Sequence, residues 1–410
     1  MTQLVSFLGK VQGPGGYRRT RYTYRGETWP ATAYFGLELA RRLQVERLVL
    51  FGTPGSMWDM LLSDHFGNTE LAAAHDELLA AAQRGQVQAE QLETLRPLIE
   101  RAVGRPVFLQ LVDNARTRAS QQALLAALAA IAAPGDTLWL DVTHGYRHLG
   151  MLALVAAAFL RSVQRVKVAG LVYAAGEMAG PDNTAPVIEL DGLLDMFAWV
   201  EALAAYDASG DLAQLASPLA AAGLEAPSVE RWRQAAFDER NQNTEAAVGS
   251  LRQIRGRLRE LSTPALDLLR PQLEQRLAWT EGAARWQHEW ALAERHLERG
   301  DWLRAAILFA ESVVSHQLAR EPRAGSHARE QAGDELVRAG GPFQELMRLR
   351  NALAHGNPGG DSQGKRILAD LIASRQRLPT ELRRLAAALR RAMDTASLPK
   401  QAAGAEPPPN

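Results

Sequence analysis

The chain has 410 residues, more than one ordinary core holds, so two or three domains are expected. Hydrophobic residues make up 47% and charged ones 22%, and the formal net charge is zero, so any attraction for nucleic acid must be local rather than global. Cysteine is absent, which excludes disulfides, thiolate metal sites and a cysteine nucleophile.

In chain order, short β-rich runs fall at 4–9 ("LVSFLG"), 47–52 ("RLVLFG"), 106–112 ("PVFLQLV"), 137–142 ("TLWLDV") and 166–175 ("VKVAGLVYAA"). Helical stretches such as 30–43 and 118–133 lie between them. Strands that are apolar throughout and alternate with helices predict a parallel sheet covered on both faces, an α/β Rossmann-like layout. "APVIEL" (185–190) follows a turn-like connection and is expected to pair antiparallel with the fifth run as the sheet edge. Beyond about residue 193 the pattern turns wholly helical. The expected division is a sheet domain over 1–195, a helical linker region over 196–285, an all-α bundle over 286–397 and a disordered tail over 398–410, which is rich in proline. No apolar run approaches the roughly 18–20 residues of a membrane span, since "MLALVAAAFL" runs straight into Arg161. The opening residues lack a signal-peptide pattern, so a cytoplasmic protein with no membrane partner is expected.

Ligands of open parallel sheets bind beyond the carboxyl ends of the strands. After the fourth run stands "DVTHGYRHLGM", where Thr143 can cap or contact a ligand and Gly145 permits close backbone approach. The amides opening the next helix form an anion cradle, to which Arg147 adds a bidentate phosphate contact. After the second run, "FGTPGSMWD" offers the Thr53 and Ser56 hydroxyls and Trp58 as a stacking face for a base. After the first, the glycine-rich "LGKVQGPGGYRRT" contributes Gly9 and Lys10. His144 and His148 are four apart, but no third ligand accompanies them, so no metal is expected. The first strand lacks the compact G-x-G-x-x-G entry of a dinucleotide site.

"DVTHGYR" (141–147) resembles the D-x-T-H-G-x-R signature of the CRISPR-associated Rossmann-fold (CARF) sensor domains of type III CRISPR ancillary proteins. The resemblance spans roughly 1–195. It implies a homodimer that binds cyclic oligoadenylate, of four or six adenylates, across its two-fold axis. By position, Thr143, His144, Gly145 and Arg147 would line that ligand, together with Gly9, Lys10, Thr53, Ser56 and Trp58.

Near the C-terminus, "RLRNALAHGNPGG" (348–360) places Asn351 and His355 four apart on one helix face, with Arg350 flanking it. Leu346, Leu349 and Leu353 form the docking stripe, and Gly356 and Pro358 end the helix. Residues 346–391 carry ten Arg or Lys against three Asp or Glu, a local basic bias suited to RNA. A histidine at the last turn beside an obligate cation suits proton transfer at a phosphodiester. "RNALAH" is similar to the R-N-x-x-x-H motif of HEPN ribonucleases, and "AERHLERGDWLRAAILFAESVVSHQL" to their first helices, over about 286–395. That resemblance implies metal-independent cleavage of single-stranded RNA in antiviral defence, with no cofactor. His355 would be the acid/base, Arg350 the phosphorane stabiliser and Asn351 the orienting group. One set per chain implies a composite site across a dimer, or a higher oligomer. Glu311 is expected to buttress Arg350, while His288, His296, His316 and His327 read as surface or packing residues. Two alternatives stand: a ligand-gated, non-catalytic RNA- or protein-binding regulator, and slow cleavage of the cyclic ligand by the sheet domain itself.

Overall fold

The computed structural model describes residues 1–11, 16–63, 69–356 and 363–395. The chain divides into two compact units, Met1–Phe197 and Ala198–Asn410.

The first unit is built on an eight-stranded sheet: β1 (Thr2–Leu8), β2 (Arg21–Tyr24), β3 (Glu27–Thr28), β4 (Arg47–Gly52), β5 (Val107–Leu111), β6 (Thr137–Asp141), β7 (Lys167–Ala174) and β8 (Thr184–Glu189). Its spatial order is β3-β2-β8-β7-β6-β1-β4-β5. The five strands β7, β6, β1, β4 and β5 are parallel, with Val5 of β1 opposite both Val49 and Leu140. Alternation along β1 sends Leu4 and Leu8 to one face and Val5 and Phe7 to the other. The helices covering the Leu4 face are α1 (Phe35–Arg42), α2 (Thr69–Arg84) and α3 (Ala89–Val103). On the Val5 face lie α4 (Arg118–Ala129) and α5 (Arg147–Ser162). Both faces are therefore covered, which is why these strands read as predominantly apolar runs.

Two features depart from the sequence-based expectation. β8 does pair antiparallel with β7, but it is not the edge, because β2 lies parallel to it on its far side. β2 and β3 form a tight hairpin whose two turn residues, Arg25 and Gly26, both adopt positive φ (50° and 82°). That is the backbone of a two-residue hairpin turn, reached here with arginine where asparagine or aspartate usually stands.

Helix α6 (Asp191–Ser209) spans the boundary between the units. The second unit continues with α7 (Ala216–Ala221), α8 (Ala226–Arg240), α9 (Thr244–Glu260), α10 (Pro264–Leu277), α11 (Arg285–Arg299) and α12 (Trp302–Arg320). It closes with α13 (Ala328–Arg338), α14 (Gly341–His355), α15 (Gln363–Ile372) and α16 (Arg377–Asp394). One buried core joins Trp199, Trp232 and Leu251 with Phe309, Leu349 and Leu385, so residues before and after 286 share the same interior. The tail expected over 398–410 lies outside the described residues.

Candidate functional site

In the parallel part of the sheet, β1 and β6 are neighbours whose following helices, α1 and α5, cover opposite faces. The loops leaving these two strands diverge at their carboxyl ends, the place where open parallel sheets form their ligand crevice. Gly9 and Lys10 form one lip and residues 142–147 the other. The lips meet through glycine: a Cβ on Gly9 would stand 2.6 Å from the amide nitrogen of Gly145, and Gly145 itself has φ +108°. The Tyr17 hydroxyl clamps the first lip, accepting from the Gly9 N–H at 2.7 Å and donating to the Gly9 carbonyl at 2.9 Å. Lys10 is exposed, and part of the glycine-rich segment after it lies outside the described residues.

A buried polar network fixes the second lip. Asp141, the last residue of β6, is wholly enclosed; one carboxylate oxygen accepts from Ser6 Oγ at 2.6 Å and the other from the Thr143 N–H at 2.9 Å. The Tyr34 hydroxyl lies 2.6 Å from Ser6 Oγ. Burial raises the pKa of Asp141, and the hydrogen bonds from Ser6 and Thr143 oppose that shift. Thr143 Oγ1 accepts from the Ala174 N–H at 2.9 Å, tying the loop to β7. His144 is packed against the rings of Tyr17 and Tyr34, at 4.2 and 5.0 Å between centroids. Its Nε2 accepts from the Phe35 N–H at 3.4 Å, which assigns the ring proton to Nδ1. Burial lowers its pKa to about 3, so His144 is a neutral donor rather than a cation. The positive charge at this lip comes from exposed Arg147 and from the uncapped start of α5, where Tyr146 supplies no side-chain cap. Beside Arg147, the Tyr173 hydroxyl donates to Glu177 at 2.5 Å; burial and Glu177 push its pKa up to about 12.

Thr53, Ser56 and Trp58 require a correction. All three are buried, and Trp58 has no exposed surface. Ser56 Oγ accepts from the Thr53 N–H and donates to the Leu8 carbonyl, both at 2.8 Å, while Trp58 Nε1 donates to the Thr53 carbonyl at 3.0 Å. They lock the ends of β1 and β4 together, and Trp58 is a core side chain rather than a stacking platform. His148 turns away as well, its Nε2 lying 2.8 Å from the Asn114 carbonyl oxygen. Ser6, Tyr17 and Tyr34 hold this site together with Asp141, the first residue of the DVTHGYR signature, and the strand and loop motifs do not single them out. The tyrosines at 17, 22, 24 and 34 are the sequence signal for the two rings.

Residues 3–177 match the family described as the CARF domain of the CRISPR system endoribonuclease Csx1. The residues that frame this site all lie within the stretch that is similar to a CARF domain. A CRISPR-associated protein of Methanocaldococcus jannaschii is 19% identical over 216 residues, which cover 48% of this chain and 34% of that protein. The chain thus spans about a third of the length of that relative.

Beyond the CARF match, the second unit presents the other candidate side chains on α14. That helix begins at Gly341, with Gly340 as its N-cap, both at positive φ and with Pro342 in its first turn. It buries Phe343, Leu346, Leu349 and Ala352, with Leu353 packed partly against the same core. It ends at His355, where Gly356 takes φ +75°; Pro358 lies outside the described residues. Asn351 and His355 are exposed, Arg350 is half-buried, and Arg350 Nη1 donates to Asn351 Oδ1 at 2.8 Å. Glu311 does not buttress Arg350. Its carboxylate accepts from Arg329 Nη2 at 2.5 Å, because Glu311 lies on the part of α12 that faces α13. Among the other histidines, His288 and His296 are buried beside Glu245 and Glu239, His316 packs edge-on against Trp286, and His327 is exposed beside Glu330. Among the described residues no group of three potential metal ligands occurs, and none of the helices is long and apolar enough to cross a membrane.

Proposed function

We propose that the chain is a single-stranded RNA endoribonuclease of type III CRISPR defence, switched on by a cyclic oligoadenylate bound at the CARF crevice. One observation carries this reading: the Csx1-type CARF match over 3–177 shares a chain with a half-buried Arg350 and exposed Asn351 and His355, grouped at the end of a helix whose opposite face is buried. The ligand chemistry agrees. Phosphodiesters need fixed N–H donors and positive charge, which the start of α5 and Arg147 supply, and Lys10 adds a second cation across the crevice.

Cleavage proceeds by attack of a ribose 2′-hydroxyl on the adjacent phosphorus. The 2′-oxygen loses its proton to a base, the new P–O bond closes a 2′,3′-cyclic phosphate, and the departing 5′-oxygen takes up a proton. His355 serves this proton traffic, Arg350 balances charge on the equatorial oxygens of the phosphorane, and Asn351 orients Arg350 through the hydrogen bond already present. One imidazole cannot act at both ends of the bond simultaneously, so two chains contribute His355 to one composite site. The outer face of α5 supports pairing of chains. Met151, Val155, Phe159 and Val163 stand 71%, 48%, 43% and 65% exposed along one charge-free stripe that starts beside the crevice. Such an apolar stripe is self-complementary across a two-fold axis and is rarely left uncovered in a monomer.

The test is a fluorescent single-stranded RNA reporter, with cyclic tri-, tetra- and hexa-adenylate each added in the presence of a chelator. At least one even-numbered ring is expected to accelerate cleavage at least about ten-fold, the size of an ordinary allosteric coupling. Absence of stimulation by every ring would sink the proposal.

A further inference from the structure

Helices α14, α15 and α16 enclose a cleft of about 220 Å³, next along α14 from its His355 end. Its floor is aliphatic, formed by Leu349, Leu371 and Leu385, and its rim carries Glu345, Arg348 and Glu381. The volume lies below the roughly 300–1,000 Å³ of sites for drug-sized ligands, so it admits one ring system and not two. The rim is pre-set. Arg384 donates to Glu381 at 2.8 and 3.0 Å and also pairs with Glu345, and each of these oxygens keeps a second lone pair that can accept. Arg384 holds the Glu381 carboxyl below its usual pKa, so it is ionised at neutral pH. With Arg348 and Arg384 beside the two carboxylates, the mouth carries no net charge. An aliphatic floor takes the flat face of a ring, and the rim oxygens accept from donors on the ring's edge.

The place of the cleft on α14 names the ring. Arg348 and His355 are seven residues apart, hence on one helix face and about 10 Å apart along the axis. That is the scale of a neighbouring nucleotide. Arg348 is exposed and has no ion pair among the described residues, so it is available to a phosphate between cleft and histidine. We infer that this cleft is a nucleobase subsite for a nucleotide flanking the scissile phosphate, selective for the bases that carry an exocyclic amine, adenine, cytosine and guanine, over uracil. Carboxylate acceptance from such an amine is an established mode of base reading. The inference rests on the ribonuclease proposal and adds a sequence preference to it.

The experiment separates the two. Fluorescein-labelled oligo-adenylate, oligo-cytidylate and oligo-uridylate are titrated by anisotropy against the full-length His355→Ala chain, so that binding is read without cleavage. Adenylate and cytidylate are expected to bind at least about five-fold more tightly than uridylate. Leu371→Trp, which fills the cleft from a partly exposed position, is expected to abolish that preference, and Glu381→Gln to reduce it; the melting temperature of each variant is checked against the parent. Equal affinity for all three oligomers, or a preference untouched by Leu371→Trp in a folded chain, overturns the subsite. Selective binding by the cleft with no cleavage by the wild-type chain keeps the subsite and removes the nuclease. Cleavage without base preference does the reverse, and failure to bind any RNA removes both.

Discussion

A methyl group on Gly9 would meet the Gly145 amide nitrogen at 2.6 Å and its Cα at 2.9 Å, and neither backbone atom can step aside as a flexible side chain would. Gly9→Ala is therefore expected to lower stability by about 1–3 kcal/mol and to weaken the response to cyclic oligoadenylate; an unchanged denaturation midpoint contradicts the close approach of the two lips. His144 makes a second prediction. Its folded pKa is about 3, against roughly 6.5 in an unfolded chain. Between these values only the unfolded state binds the proton, so the contribution of neutral His144 is complete above about pH 6.5 and fades as the pH falls towards 3. The stability difference between wild type and His144→Gln should shrink across that window in denaturant titrations at pH 7.5 and 4.5, and a constant difference would argue against a buried neutral ring. Which residues occupy the strand ends was legible in the sequence, but not which way they turn. Thr53, Ser56 and Trp58 look as ligand-ready on paper as Arg147, yet their polar atoms bond the protein itself, as Thr143 Oγ1 does with Ala174. Glu311 failed for a similar reason: its carboxylate turns to Arg329.

At the scale of elements, α14 divides its labour between two faces. Leu349 is fully buried in the second unit's core, and Leu349→Ala is expected to cost about 2–5 kcal/mol. His355 is exposed, and His355→Ala should leave stability within about 0.5 kcal/mol of wild type. Chemical denaturation of the two variants checks the pair, and a large loss in the histidine variant would mark His355 as structural. The five parallel strands were readable because burial on both faces leaves no polar alternation to mistake. The β2–β3 hairpin was not. Its turn residues are Arg25 and Gly26, and nothing in an arginine announces a positive φ. Arg25 is instead anchored after the turn, by its ion pair to Glu189 at 2.7 Å and by the Tyr24 ring beneath it.

At the scale of the whole molecule, the proposed chemistry needs two chains. Phe159→Glu places a charge in the middle of the apolar stripe on α5, and across a two-fold axis that charge meets its own copy. The variant is expected to sediment as a monomer and to lose RNA cleavage, although its fold and His355 are untouched; a dimeric, active Phe159→Glu chain would place the pairing surface elsewhere. The most direct measurement of the central claim examines the ends of the RNA product. Wild type and His355→Ala are incubated with a defined single-stranded RNA and chelator, with and without cyclic tetra- and hexa-adenylate, and the fragments are weighed by mass spectrometry. The account predicts 2′,3′-cyclic phosphate and 5′-hydroxyl ends that accumulate only with the activator and only with His355. Fragments bearing 5′-phosphates, or equal cleavage by the His355→Ala chain, would contradict it.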